Sequence, residues 1–131
     1  MSQKKSELKL GKIQLFILQY LWSVGEAGAR EISDRVAAEH NLSRSTVQTL
    51  LKKLEAKGAV THIERDRLFI YTPLVQQNEV EEYNTRDFLN GMFRGSAAGL
   101  VSHMLEHESF TEEELNRIRQ LIDAHQKEIQ K

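Results

Sequence analysis

Cysteine is absent from the 131 residues, which excludes disulfides and thiolate metal sites. Proline occurs once, at Pro73, where the missing N–H donor marks the end of a strand. No window reaches the roughly 18 to 20 apolar residues of a membrane span. The lysine-bearing N-terminus, MSQKKSELKLGKIQ, has no uninterrupted apolar core followed by a small-residue cleavage site. These absences lead to the expectation of a soluble, cytoplasmic chain. Catalytic signatures are missing too: there is no serine elbow, no glycine loop that cradles phosphate and no His-Glu-x-x-His zinc motif. The chain is therefore expected to be no enzyme and to need no cofactor.

What is present is ordinary in bulk. With 40% apolar and 28% charged residues, the chain has the composition of a folded protein, of a size for one domain or a small domain with an appended arm. The net charge of −1 conceals an asymmetry. Residues 1–73 carry 12 Lys and Arg against 8 Asp and Glu, whereas residues 74–131 carry 6 against 11. The first part is suited to polyanions and the second is not.

Along the chain, Ile13, Leu15, Phe16, Ile17, Leu18, Tyr20, Leu21 and Trp22 make a helix apolar nearly all round, buried on more than one side. The second side is expected to meet a partner chain or the C-terminal arm. Gly25 and Gly28 bracket a turn. A second helix is predicted over Ala29 to His40, with Ile32, Val36 and Ala37 inward. Ser43 is placed to N-cap a third helix, whose core stripe is Val47, Leu50, Leu51 and Leu54, and Gly58 supplies its stop. "AVTHIER" and "LFIYTP", joined at Asp66 and Arg67, read as a β-hairpin. Three helices and a hairpin are the order of a winged helix-turn-helix.

The remaining residues are helical again. One stretch is marked by Val80, Tyr83, Phe88, Leu89, Met92 and Phe93, and another by Leu100, Val101, Met104 and Leu105, with Gly95 and Gly99 at a break or close helix contact. Thr111 and Glu114 form a capping box, after which Leu115, Ile118, Ile122, His125 and Ile129 repeat at alternating spacings of three and four. Fifty-eight residues of amphipathic helix make too little core to stand alone. The expected architecture is mainly α with a small β-hairpin: a winged helix-turn-helix domain over residues 1–73 and a helical dimerisation arm over 74–131. Candidate dimerisation residues are Phe88, Leu89, Leu100, Met104, Leu115, Ile118 and Ile122.

The third helix carries the chemistry. At about 100° per residue, Ser45, Thr49, Lys52 and Ala56 lie opposite Val47. Small side chains there let a helix axis approach base edges, and hydroxyls can bond bases or touch a thymine methyl. Thr46, Gln48, Lys52 and Lys53 lie toward the flanks, within reach of bases or phosphates. Arg65 and Arg67 sit where a wing meets the DNA backbone or a minor groove. With Ser43 and Arg44 at the helix start, these ten residues are the candidate DNA-binding set.

"STVQTLLKKLEAKGAV" followed by "RLFIYTPLV" resembles the penicillinase-repressor family, which includes the methicillin-resistance and copper-responsive repressors. Its pattern is a Thr-hydrophobic-x-Thr-Leu-hydrophobic-x-Arg/Lys-Leu-x-x-Lys-Gly core with a Tyr-x-Pro hairpin end. "LQYLWS" and "DFLNGMFRGSAAGLVSHMLE" extend the match over most of the chain. The resemblance implies a homodimeric repressor on a double-stranded, pseudo-palindromic operator. Ser45, Thr46 and Thr49 then read bases, and Lys52 and Lys53 contact the backbone. Some relatives have lysine where Ser45 stands, so the base sequence read differs from theirs.

Two departures bear on regulation. In antibiotic-responsive relatives a membrane metalloprotease relieves repression by cutting an Asn-Phe bond in the arm. The aligned positions here are His103 and Met104, the candidate regulatory cleavage residues. Copper-responsive relatives carry Cys-x-Cys near the C-terminus, and this chain has no cysteine for that switch. His103 and His107, spaced i, i+4 with Glu106 and Glu108 near, could chelate zinc or nickel. Two imidazoles without a third fixed ligand are more often plain surface or interface histidines, and no metal site is assigned. His125 in the seam would add pH sensitivity to dimerisation. The rival function is a winged-helix module for protein contacts, separable from a DNA binder by the salt dependence of binding.

Overall fold

The structure, a computed structural model, describes residues 10–130. The start of the N-terminal segment that shows no secretory pattern, residues 1–9, lies outside the described residues. The elements are α1 (Lys12–Val24), β1 (Ala27–Gly28), α2 (Ala29–His40), α3 (Arg44–Ala56), β2 (Val60–Arg65), β3 (Leu68–Pro73), α4 (Gln77–Phe93), α5 (Ala97–His107) and α6 (Glu112–Ile129). Contacts divide the chain into two compact units that part between Asp87 and Phe88.

In the first unit, α1, α2 and α3 pack around a core that includes Leu18, Leu21, Ile32, Val47, Leu51 and Leu54, all buried. Each such side chain contributes about 1.5–3 kcal/mol relative to exposure. Ser43 caps α3 as expected, its hydroxyl accepting the Thr46 N–H at 3.2 Å. The helix stops in a Schellman arrangement around Gly58, whose φ of 79° suits glycine. Ala59 N–H donates to Leu54 O and Gly58 N–H to Glu55 O, both at 2.9 Å, so two carbonyls of the last turn are satisfied.

The expected hairpin is part of a larger sheet. Three antiparallel strands run in the order β1-β3-β2, with Ala27 opposite Tyr71 and Gly28 opposite Ile70. The two-residue strand thus ties the turn before α2 to the wing. β2 and β3 pair from Val60–Pro73 to Arg65–Leu68. Only Asp66 and Arg67 separate them, at φ values of 52° and 67°. Two successive left-handed residues give a turn whose twist matches the strands.

The division after Asp87 lies well beyond the boundary at residues 73 and 74 read from the sequence. The reason is packing: Val75 and Val80 are buried in the winged-helix core, and Tyr83 packs against it. The Trp22 indole N–H donates to Val75 O at 3.0 Å, so the far side of α1 meets the segment leading into α4.

In the second unit, α4 ends at Phe93, and Arg94 and Gly95 turn the chain with φ values of 51° and 81°. Ser96 then caps α5, accepting the Gly99 N–H at 2.9 Å. Thr111 and Glu114 cap α6 reciprocally, at 3.0 and 3.3 Å. Neither α5 nor α6 buries a side chain within the chain. Ile122, Leu121 and Ile129 are 50% exposed or more, an apolar surface that a lone unit leaves in water.

Candidate nucleic-acid interface

Every one of the ten sequence-derived DNA-binding residues is exposed, and all belong to α3, its cap or the wing. The first turn of α3 carries no acidic side chain. Its free N–H groups therefore make a positive helix end suited to phosphate. The hydroxyls of Ser45 and Thr46 lie 3.2 and 2.9 Å from the Ser43 hydroxyl, so the candidate base readers form a small network around the cap. Thr49 donates to the Ser45 carbonyl at 3.0 Å, one turn back. Lys52 and Lys53 make no ion pair among the described residues and carry their charge to solvent.

The wing is fastened to this helix from behind. His62 Nδ1 on β2 meets Glu55 Oε1 on α3 at 2.5 Å, and its ring stacks obliquely on Phe69 and Tyr71 at 4.6 and 5.2 Å. Burial, followed by the nearby Glu55 carboxylate, raises the Tyr71 phenol above its ordinary value. The ring is thus a neutral packing element near pH 7. Recognition helix and wing are consequently held as one surface.

A groove runs between the start of α2, the start of α3 and the wing, with Arg30, Arg44, Gln48, Arg67, Leu68 and Phe69 among its walls. Three residues of the sequence-derived set, Arg44, Gln48 and Arg67, come together there. Arg30 joins them and was not legible in the sequence, because its nearness to the wing depends on the docking of α2. Two arginines have carboxylate partners: Arg44 with Asp34, and Arg65 with Glu26, each at 2.9 Å.

The candidate dimerisation residues lie apart from this surface in the chain, all in the second unit. Phe88, Met104 and Ile122 are exposed, while Leu89, Leu100, Leu115 and Ile118 are half-buried. Phe88 and Phe93 meet at 5.6 Å between ring centroids, and Phe93 meets His103 at 5.8 Å. His103 stacks on His107 at 4.3 Å, and His107 Nδ1 lies 3.0 Å from the His103 carbonyl. Among the described residues no group of three or more His, Asp or Glu comes together to hold a metal ion. His103 and Met104 fall inside α5. No helix among the described residues is long and apolar enough to cross a membrane.

A family model described as penicillinase repressor matches residues 10–124, spanning the winged helix and most of the arm. The chain belongs to the penicillinase repressor family. Similar members include the penicillinase repressor of Bacillus licheniformis, 26% identical over 117 residues, covering 89% of this chain and 91% of that one. The methicillin resistance regulatory protein MecI of Staphylococcus aureus strain N315 is 22% identical over 107 residues, covering 82% and 87%. Among solved structures, the DNA-binding domain of the repressor BlaI has a TM-score of 0.53 and 24% identity, covering 60% of this chain and 93% of that domain. YusO of Bacillus subtilis has a TM-score of 0.52 and 20% identity, covering 93% and 78%. These two likenesses establish the winged-helix fold.

Proposed function

We infer that this chain is a sequence-specific DNA-binding transcriptional repressor that acts as a homodimer on a pseudo-palindromic operator. The observation that carries the reading is the face of α3. It presents exposed hydroxyls at Ser45, Thr46 and Thr49, flanked by Lys52 and Lys53 and continued by wing arginines, in a member of the penicillinase repressor family. Ser45, Thr46 and Thr49 contact base edges, with Gln48 beside them. Lys52, Lys53 and Arg67 contact phosphates and fix the register, while Arg44 and Arg65, at the start of α3 and the end of β2, reach phosphates or base edges.

The arm supplies the two-fold symmetry. α5 and α6 fully bury no side chain within one chain, and the stripe through Leu115, Ile118 and Ile122 is the seam that a second copy covers. Two recognition helices held in this way read half-sites about one DNA turn apart. A membrane metalloprotease that relieves repression is the further partner. The positions corresponding to its cut, His103 and Met104, lie within a helical segment, so cleavage requires α5 to unwind locally.

The test is selection of bound duplexes from a random-sequence pool by the purified protein. The expected product is a motif with two-fold symmetry and half-sites one turn apart. A pool that stays random would contradict the reading.

A further inference from the structure

Arg30, Arg44 and Arg67 line the groove between α2, α3 and the wing, Arg65 ends β2, and the four fall into two classes. Arg44, the first residue of α3, donates to Asp34 of α2 at 2.9 Å. Arg65, the last residue of β2, donates at 2.9 Å to Glu26, in the connector between α1 and β1. Arg30 and Arg67 make no ion pair among the described residues.

The two held pairs are half in water. Side-chain exposure is 58% and 55% for Arg44 and Asp34, and 53% and 48% for Arg65 and Glu26. Ion pairs this exposed contribute little to folding. Their consistent effect is on orientation, since each ties an arginine of the interface to a different element of the fold. A guanidinium carries five donors in a planar fork, so one edge can stay on the carboxylate while another meets a phosphate or base.

We propose that Asp34 and Glu26 are specificity-determining residues, aiming Arg44 and Arg65 at the operator while cancelling their pull on DNA in general. This rests on the repressor reading above. Non-specific binding is driven by cations that displace counterions from phosphates. An arginine already paired with a carboxylate adds little to that attraction, and the carboxylate itself repels the backbone. On the operator, each guanidinium must arrive in one geometry, and a side chain already oriented loses less rotamer freedom on binding. The same carboxylate therefore weakens binding to wrong sequences and spares binding to the right one. Arg30, Arg67, Lys52 and Lys53 supply the unselective attraction.

The experiment is fluorescence anisotropy of the full-length protein on a selected operator and a shuffled duplex across a salt series. Variants are Asp34→Asn, Glu26→Gln and the charge-retaining Asp34→Glu, each checked for unchanged thermal melting. Glu39→Gln, the same charge change on α2 at a residue paired with no arginine among the described residues, controls for net charge. Asp34→Asn and Glu26→Gln should bind shuffled DNA about two- to five-fold more tightly and gain less on the operator, so their discrimination falls. Their plots of log affinity against log salt should steepen by up to about one counterion, beyond any change in Glu39→Gln, while Asp34→Glu keeps the wild-type slope. The double variant Asp34→Asn with Arg44→Gln, equal in charge to wild type, should keep shuffled-DNA affinity and lose operator preference. Unchanged affinity and slope in both neutral variants, with wild-type operator preference intact, would overturn this proposal alone. A wild-type protein without sequence preference would overturn the repressor reading and this proposal together.

Discussion

The hydroxyl of Thr49 donates to the carbonyl oxygen of Ser45 at 3.0 Å, so this exposed residue has its rotor set before any DNA arrives. Its oxygen keeps a lone pair for a base donor, and its methyl can meet a thymine. Thr49→Ala should lower operator affinity about tenfold while changing shuffled-DNA affinity less than about twofold. Lys53→Ala should weaken both by similar factors, because a phosphate contact carries no sequence information. Equal losses in the two variants, measured by anisotropy, would remove Thr49 from the base-reading set.

Arg67 holds a left-handed backbone at the wing tip, with φ of 67°, at a turn position that glycine occupies without strain. Arg67→Gly should raise unfolding stability by about 1 kcal/mol. It should also lower affinity for operator and shuffled DNA alike and reduce the salt slope by about one. Urea midpoints and binding isotherms check the two halves separately. A stabilised variant with unchanged DNA binding would place the wing tip outside the interface.

Ser43 serves the helix rather than the base sequence. Its hydroxyl accepts the Thr46 N–H at 3.2 Å and anchors the neighbouring hydroxyls. Ser43→Ala should cost about 0.5–2 kcal/mol in chemical denaturation. Ser43→Asp, which keeps an acceptor, should restore stability but weaken DNA binding by placing a negative charge at the groove. Stability unchanged in Ser43→Ala would mean that the cap contributes nothing.

Charged residues at Leu115 and Ile118 should break the seam. The double variant Leu115→Glu with Ile118→Glu should sediment as a monomer and bind only a half-site, weakly, because two recognition helices must be held one DNA turn apart. A dimer of normal stability in sedimentation would move the interface to another face, such as the one around Phe16 and Trp22.

Local signals were legible in the sequence, and relations between distant elements were not. The bounds of α2, the Ser43 cap and the Gly58 stop follow from periodicity and turn chemistry within a few residues, and the structure matches them. β1 has only two residues, too short for any alternation, and its place in the sheet depends on Ile70 and Tyr71 being opposite. The link of Val75 and Val80 to the winged-helix core is similarly hidden, because their spacing suits the arm's amphipathic pattern equally well. The exposed face of α3 was readable from helical geometry alone. The carboxylates on Arg44 and Arg65 were not, since the pairs join residues 10 and 39 apart in the chain.

The most direct measurement is anisotropy of the purified protein on the DNA upstream of its own gene, against a shuffled duplex of equal length, across a salt series. The expected result is preferential binding with two chains per site and an affinity that falls steeply as salt rises. Binding that ignores both sequence and salt, there and on duplexes drawn from a random pool, would contradict it.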